Sequence, residues 1–149
     1  MSAVDGRTDG PRTDSRRTAD LAKLVHNVHE QGFQELDRVG LSGQRDQGLV
    51  STLISRDLSD SDDLCISWGR ILPGQRHLCH HHPDASEFYV VISGTPLVFL
   101  GDQEYRAKPG DGIYIPRGLT HGARNDTDTP VDLVVGVSKP ADWEFVHDE

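Results

Sequence analysis

From position 48 onward, turn-formers cut the chain into short apolar runs, most of them too short for a helix. Residues 48–55 are rich in β-branched side chains and give way to a polar stretch at 56–63, so they read as a strand. Residues 64–72 alternate, with Leu64, Ile66, Trp68, Arg70 and Leu72 on one face and Cys65, Ser67, Gly69 and Ile71 on the other, before Pro73-Gly74 ends the run. A further strand opens at Glu87 and runs to Ile92. Residues 97–100 and 104–106 flank Gly101-Asp102, the turn chemistry of an antiparallel hairpin. Residues 113–115 follow a turn at 109–112, and 131–137 form the last long apolar run. Fifteen Gly and eight Pro supply the many turns that many short strands need.

The N-terminal part reads differently. Residues 1–19 contain almost nothing apolar and cannot bury enough surface to offset their chain entropy, so a disordered tail is expected there, followed by a single domain over 20–149. Either Asp20 caps a short helix with Leu21, Leu24, Val25 and Val28 on one face, or residues 24–28 form an entering strand; a helical turn followed by a strand is the expectation. The C-terminal residues 143–146 are expected to fold back over the barrel, with Asp148 and Glu149 frayed.

Charge narrows the function. A net charge of −9 and a pI near 5.2 speak against nucleic acid, whose phosphates call for a basic face. No apolar run is long enough to span a bilayer and the N-terminus lacks the apolar segment of a signal peptide, so a cytoplasmic location without membrane contact is expected. Cys65 and Cys79 do not make a disulfide framework.

The densest chemistry lies in residues 74–94. In extended backbone His80 and His82 point to the same side, and the turn-formers at 83–86 bring Glu87 back towards them at the start of the next strand. Two imidazoles and a carboxylate suit Fe, Mn, Ni, Zn or Cu. Taken alone, the run His80-His81-His82 fits an exposed polar turn equally well.

A second block changes that balance. Gly74, His80, His82, Glu87 and Gly94 fit Gly-x5-His-x-His-x4-Glu-x6-Gly, and Gly110, Pro116, Gly118, His121 and Asn125 fit Gly-x5-Pro-x-Gly-x2-His-x3-Asn. Together they resemble the two motifs of the cupin superfamily, of the small single-domain kind, over roughly residues 45 to 140. The resemblance implies an all-β fold, a double-stranded β-helix or jelly-roll barrel with a short N-terminal helix and strand extension. It also implies one divalent transition metal per chain, held by His80, His82, Glu87 and His121. Small cupins often pair N-terminal strands between subunits, so a homodimer is expected by analogy.

Glu87 then fixes the parity of its strand: Tyr89 and Val91 point inward, and Tyr89 is the first candidate for a catalytic group beside the ion. Arg70 is the second. If its face enters the barrel, its guanidinium can grip a substrate carboxylate or phosphate; if the Cys65–Ser67–Gly69 face is the interior one, Arg70 is solvated. The ligand set suits a metal-dependent enzyme acting on a small-molecule substrate. Oxygenase or dioxygenase chemistry is the leading expectation, followed by a non-redox isomerase, cyclase, lyase or decarboxylase, and then by a non-catalytic binding or sensing module.

Overall fold

The structure is a computed structural model that describes residues 18–138 and 144–149. Most of the tail expected at 1–19 and Trp143 lie outside the described residues. Among the described residues eleven strands form two antiparallel sheets. In chain order they are β1 (Gln34–Glu35), β2 (Leu49–Ile54), β3 (Leu64–Ile71), β4 (Arg76–His81), β5 (Glu87–Ser93), β6 (Leu97–Leu100), β7 (Gln103–Arg106), β8 (Gly112–Ile115), β9 (His121–Arg124), β10 (Val131–Ser138) and β11 (Val146–His147). One sheet has the order β1-β2-β3-β10-β5-β8, the other β11-β4-β9-β6-β7. The all-β class and the barrel expected from the motifs are what the chain forms.

One buried cluster joins the sheets: Ile71, Val91, Ile115 and Leu133 from the first meet Val98 and Ala123 from the second. Each such side chain, fully withdrawn from water, contributes about 1.5–3 kcal/mol for a Val, Leu or Ile. The alternation read from sequence decides which residues these are. Along β5, Glu87, Tyr89 and Val91 are buried while Phe88 and Val90 lie on the other face.

The motif residues outside the ligand set tie the two motif segments together. Gly74 donates its N–H to the Asn125 carbonyl and Asn125 returns one to the Gln75 carbonyl, while the Asn125 amide donates to the carbonyls of Ile71 and Thr129. Gly118 N–H reaches the His82 carbonyl at 2.8 Å, fixing the turn before β9 against the end of β4. Gly94 takes φ +78°, and a Cβ there would lie 2.6 Å from the Pro130 carbonyl oxygen, so no larger residue fits.

Both chain ends depart from expectation. Asp20 does cap a helical turn, α1 (Leu21–Leu24), but no strand forms at 24–28. Asn27 accepts from the His29 N–H and caps a second turn, α2 (Val28–Gln31), because a side-chain cap competes with extension at that point. At the other end β11 pairs with β4, and Asp148 and Glu149 are not frayed. Asp148 donates its N–H to the Cys79 carbonyl, and its carboxylate accepts from Thr120 at 2.8 Å; the Glu149 side chain accepts from the Cys79 N–H.

Arg70 lies outside the barrel. Cys65, Ser67 and Gly69 form the interior face of β3, which leaves Arg70 on the outer surface of the sheet. There it makes a bidentate pair with Asp132 on β10, at 2.7 and 3.0 Å, and stands over the Phe33 ring. Hydrogen bonding from Arg70 holds the Asp132 carboxyl below its ordinary value of 3.8, so the pair stabilises the fold fully above that value and is lost as pH falls through the lowered folded-state value. Asp132→Asn is expected to cost about 1 kcal/mol near neutral pH, a figure reduced for the partial exposure of Arg70. Chemical denaturation of both proteins from pH 7 to pH 3 should show the gap narrowing below about pH 4.

Candidate metal centre

The four expected ligands meet. His80 comes from β4 and His121 from the first residue of β9, and the two are direct cross-strand partners. His82 follows the end of β4, and Glu87 opens β5 in the opposite sheet, so the group bridges the barrel interior. One ligand atom from each lies within 4.8 Å of the others, and all four residues are buried.

Hydrogen bonding orients the rings. Nδ1 of His80 lies 2.8 Å from the Leu78 carbonyl, Nδ1 of His121 2.9 Å from the Leu119 carbonyl, and Nδ1 of His82 2.9 Å from the Glu144 carbonyl. A carbonyl only accepts, so each Nδ1 carries the hydrogen and each Nε2 is left with its lone pair. Those lone pairs face a carboxylate: Oε2 of Glu87 is 2.6 Å from His121 Nε2 and 3.1 Å from His82 Nε2.

An anion cannot sit that close to two lone pairs unless a positive charge lies between them. With no ion, a proton has to serve. Burial raises the Glu87 carboxyl, but hydrogen bonds from His121 and His82 overcome this and bring it down to about 2. Burial pushes His121 down, and the Glu87 bond and charge more than offset it, leaving it above its ordinary value. At His80 burial, then the charge on His121, outweigh the Leu78 bond and the Glu87 charge, lowering it to about 2 and keeping it neutral. A divalent cation replaces the shared proton and uses the His80 lone pair as well, so the donor set fits a single metal ion.

The site opens on a cavity of about 220 Å³, whose wall includes His80, Glu87, Tyr89, His77 and Arg38. Tyr89, expected from the parity of β5, presents its ring edge to His121 at 6.1 Å between centroids. Phe145 from the C-terminal segment stacks on His80 at 4.0 Å and 15°, and the Arg38 guanidinium stands over Phe145 at 4.2 Å.

Arg38, His77 and Phe145 were not expected in the site. His77 is odd where His80 and His82 are even, so simple alternation turns it away. A register shift in the β4–β9 pairing between His77 and His80 resets the parity and puts His77 and His80 on the same cavity. The adjacency of His77 to the histidine run was the available signal. Arg38 and Phe145 arrive through long-range packing that no local pattern announces.

The family model for the cupin domain matches residues 67–137, a stretch that holds all four ligands. A predicted oxalate decarboxylase from Thermotoga maritima superimposes with a TM-score of 0.67 at 16% identity, over 76% of this chain and 96% of that one. A sugar phosphate isomerase of the cupin superfamily from Silicibacter pomeroyi gives 0.65 at 19% identity, over 82% and 91%. In sequence, mannose-1-phosphate guanylyltransferase of Escherichia coli is 28% identical over 121 residues, 81% of this chain, which in turn spans 24% of that relative. Among the described residues no helix is long and apolar enough to cross a membrane. With the two motifs, the two-sheet barrel and the buried donor set all in place, the chain carries a cupin domain over residues 67–137.

Proposed function

We propose that the chain is a metal-dependent enzyme that acts on a small oxygen-bearing organic molecule by chemistry without net oxidation, as an isomerase, lyase or decarboxylase does. The observation that carries this reading is the convergence of His80, His82, Glu87 and His121 on one point at the wall of a small cavity. A divalent transition metal bound there supplies Lewis acidity, polarising a carbonyl or acidifying water.

The chain's own groups add to that. The Tyr89 hydroxyl has no hydrogen-bond partner among the described residues, and burial together with the Glu87 charge holds it well above the ordinary phenol value. It therefore keeps its proton and donates to an oxygen on which charge develops. His77 is pushed down to about 4, first by burial and then by the Arg38 charge, so it stays neutral at physiological pH and offers a hydrogen bond rather than a second charge. Isomerisation and decarboxylation are also the reactions named for the two similar structures. Oxygenase chemistry, placed first on sequence grounds, becomes the second reading: four protein donors do not fill a six-coordinate ion, and a gaseous co-substrate fits the same cavity.

Protein purified without a histidine tag is expected to carry about one transition metal per chain by elemental analysis, and His80→Ala or His121→Ala to remove it. A metal-free native protein would end the enzymatic reading. In anaerobic assays of small oxo acids, hydroxy acids and sugar phosphates with Zn(II) or Mn(II) supplied, turnover is expected, and Tyr89→Phe should lower kcat by about 10–100-fold while metal content is unchanged. Oxygen uptake with Fe(II), without anaerobic turnover, would select the oxygenase reading instead.

A further inference from the structure

The cavity wall carries two charge-bearing features. One is the His80–Glu87 part of the metal donor set; the other is Arg38, from the segment between β1 and β2. Arg38 is held from behind. Its Nε lies 3.0 Å from Oδ2 of Asp46, an ion-pair distance at which the N–H is not aimed well enough for a hydrogen bond. Asp46 itself is buried, and it is fixed by the Leu78 N–H at 2.6 Å and by His147 Nε2 at 3.4 Å. Phe145 supports the flat face of the guanidinium. The Arg38 side chain is 31% exposed, and among the described residues no hydrogen bond engages its two terminal nitrogens. A buried carboxylate, an aromatic shelf and an unused planar fork make a built anion holder rather than a solvated surface arginine.

Size and charge select the anion. At about 220 Å³ the cavity is smaller than the several hundred Å³ usual for drug-sized ligands. Leu36, Val50, Val135 and Val137 make much of the remaining wall apolar, and among the described residues no lysine lines it. Glu87 and a divalent ion together leave one positive charge, and Arg38 and Asp46, 3.0 Å apart, cancel. One negative charge on the ligand balances the site. Among the described residues a phosphate dianion would find one guanidinium, already shared with Asp46.

We propose that the cavity takes a small organic monocarboxylate, its carboxylate held by the terminal nitrogens of Arg38 and its reacting oxygen directed to His80 and Glu87. This substrate class rests on the metal-dependent reading above, but the Arg38 contact does not need the ion to be measured.

The probes are pyruvate, its neutral amide and inorganic phosphate, titrated by calorimetry and ligand-observed NMR into untagged protein, both loaded with Zn(II) and stripped of metal. Pyruvate is expected to bind about tenfold or more tighter than either other probe. Arg38→Met should weaken it about tenfold or more in both metal states, with Zn(II) content unchanged. Arg38→Lys, which keeps the charge facing Asp46 but loses the fork, should weaken it severalfold, and it provides the reading if Arg38→Met does not fold. Equal affinity in the parent and both variants, or binding that vanishes on stripping the metal whatever stands at position 38, would overturn the assignment and leave the metal reading intact. Phosphate binding tighter than pyruvate would also overturn it. Arginine-dependent pyruvate binding by a chain that takes up no metal would sustain the anion holder while the metal-dependent reading fails.

Discussion

A carboxylate buried among imidazole lone pairs is the constraint on which the rest of the molecule depends. Glu87 loses most of its solvation inside the barrel, and its near neighbours, His121 and His82, turn acceptor nitrogens towards it. Burying such a group unpaired costs several kcal/mol, so the arrangement is stable only with a positive charge at its centre. A shared proton meets that need for one pair of atoms. A cation meets it for all four donors at once, which is why the backbone is arranged to hold three Nδ1 hydrogens on carbonyls rather than to relieve the repulsion.

The rest of the barrel keeps these donors from moving apart. Ligands from facing sheets converge only if the sheets cannot slide, and the motif residues that carry no chemistry supply that restraint. Asn125 binds the carbonyls of Ile71 and Thr129, Gly74 donates to the Asn125 carbonyl while the Asn125 N–H donates to Gln75, and Gly118 is tied to His82 itself. A motif that looks like a list of ligands with spacers is, physically, a ligand set together with the hydrogen bonds that fix its frame.

Most of the longer strands, and the approach of Glu87 to His80 and His82, were legible in the sequence because they follow from local rules: period-two alternation, turn residues at fixed offsets, and a ligand, Glu87, whose required direction sets the parity of β5. Tyr89 followed from the same rule. His121 entered only through the resemblance to the cupin motifs, and β1, β9 and β11 were not expected. Arg70 shows the limit of alternation, because both faces of β3 carry apolar residues and alternation alone could not say which was interior; the Asp132 pair on the neighbouring strand decides it. His77 was hidden by a bulge that breaks the parity. Arg38 was illegible for a different reason: it lies outside the regular strands, and it reaches the cavity only because Asp46 and Phe145, distant in sequence, place it there.

Chain ends ordinarily fray because nothing repays the entropy of holding them. Here residues 144–149 are held at both ends and in the middle. Glu144 accepts from His82, Val146 and His147 pair with β4, and Asp148 and Glu149 bond to Cys79. Between these anchors Phe145 is clamped with one neighbour a metal-ligand ring, His80, and another the Arg38 guanidinium. The segment also covers the exposed edge of β4, which would otherwise present unpaired backbone groups. One short segment thus seals a sheet edge through β11, fixes the ring of His82 through Glu144, and packs Phe145 against both His80 and Arg38. A site assembled this way is as rigid as its last six residues, even though none of them offers an atom to the ion.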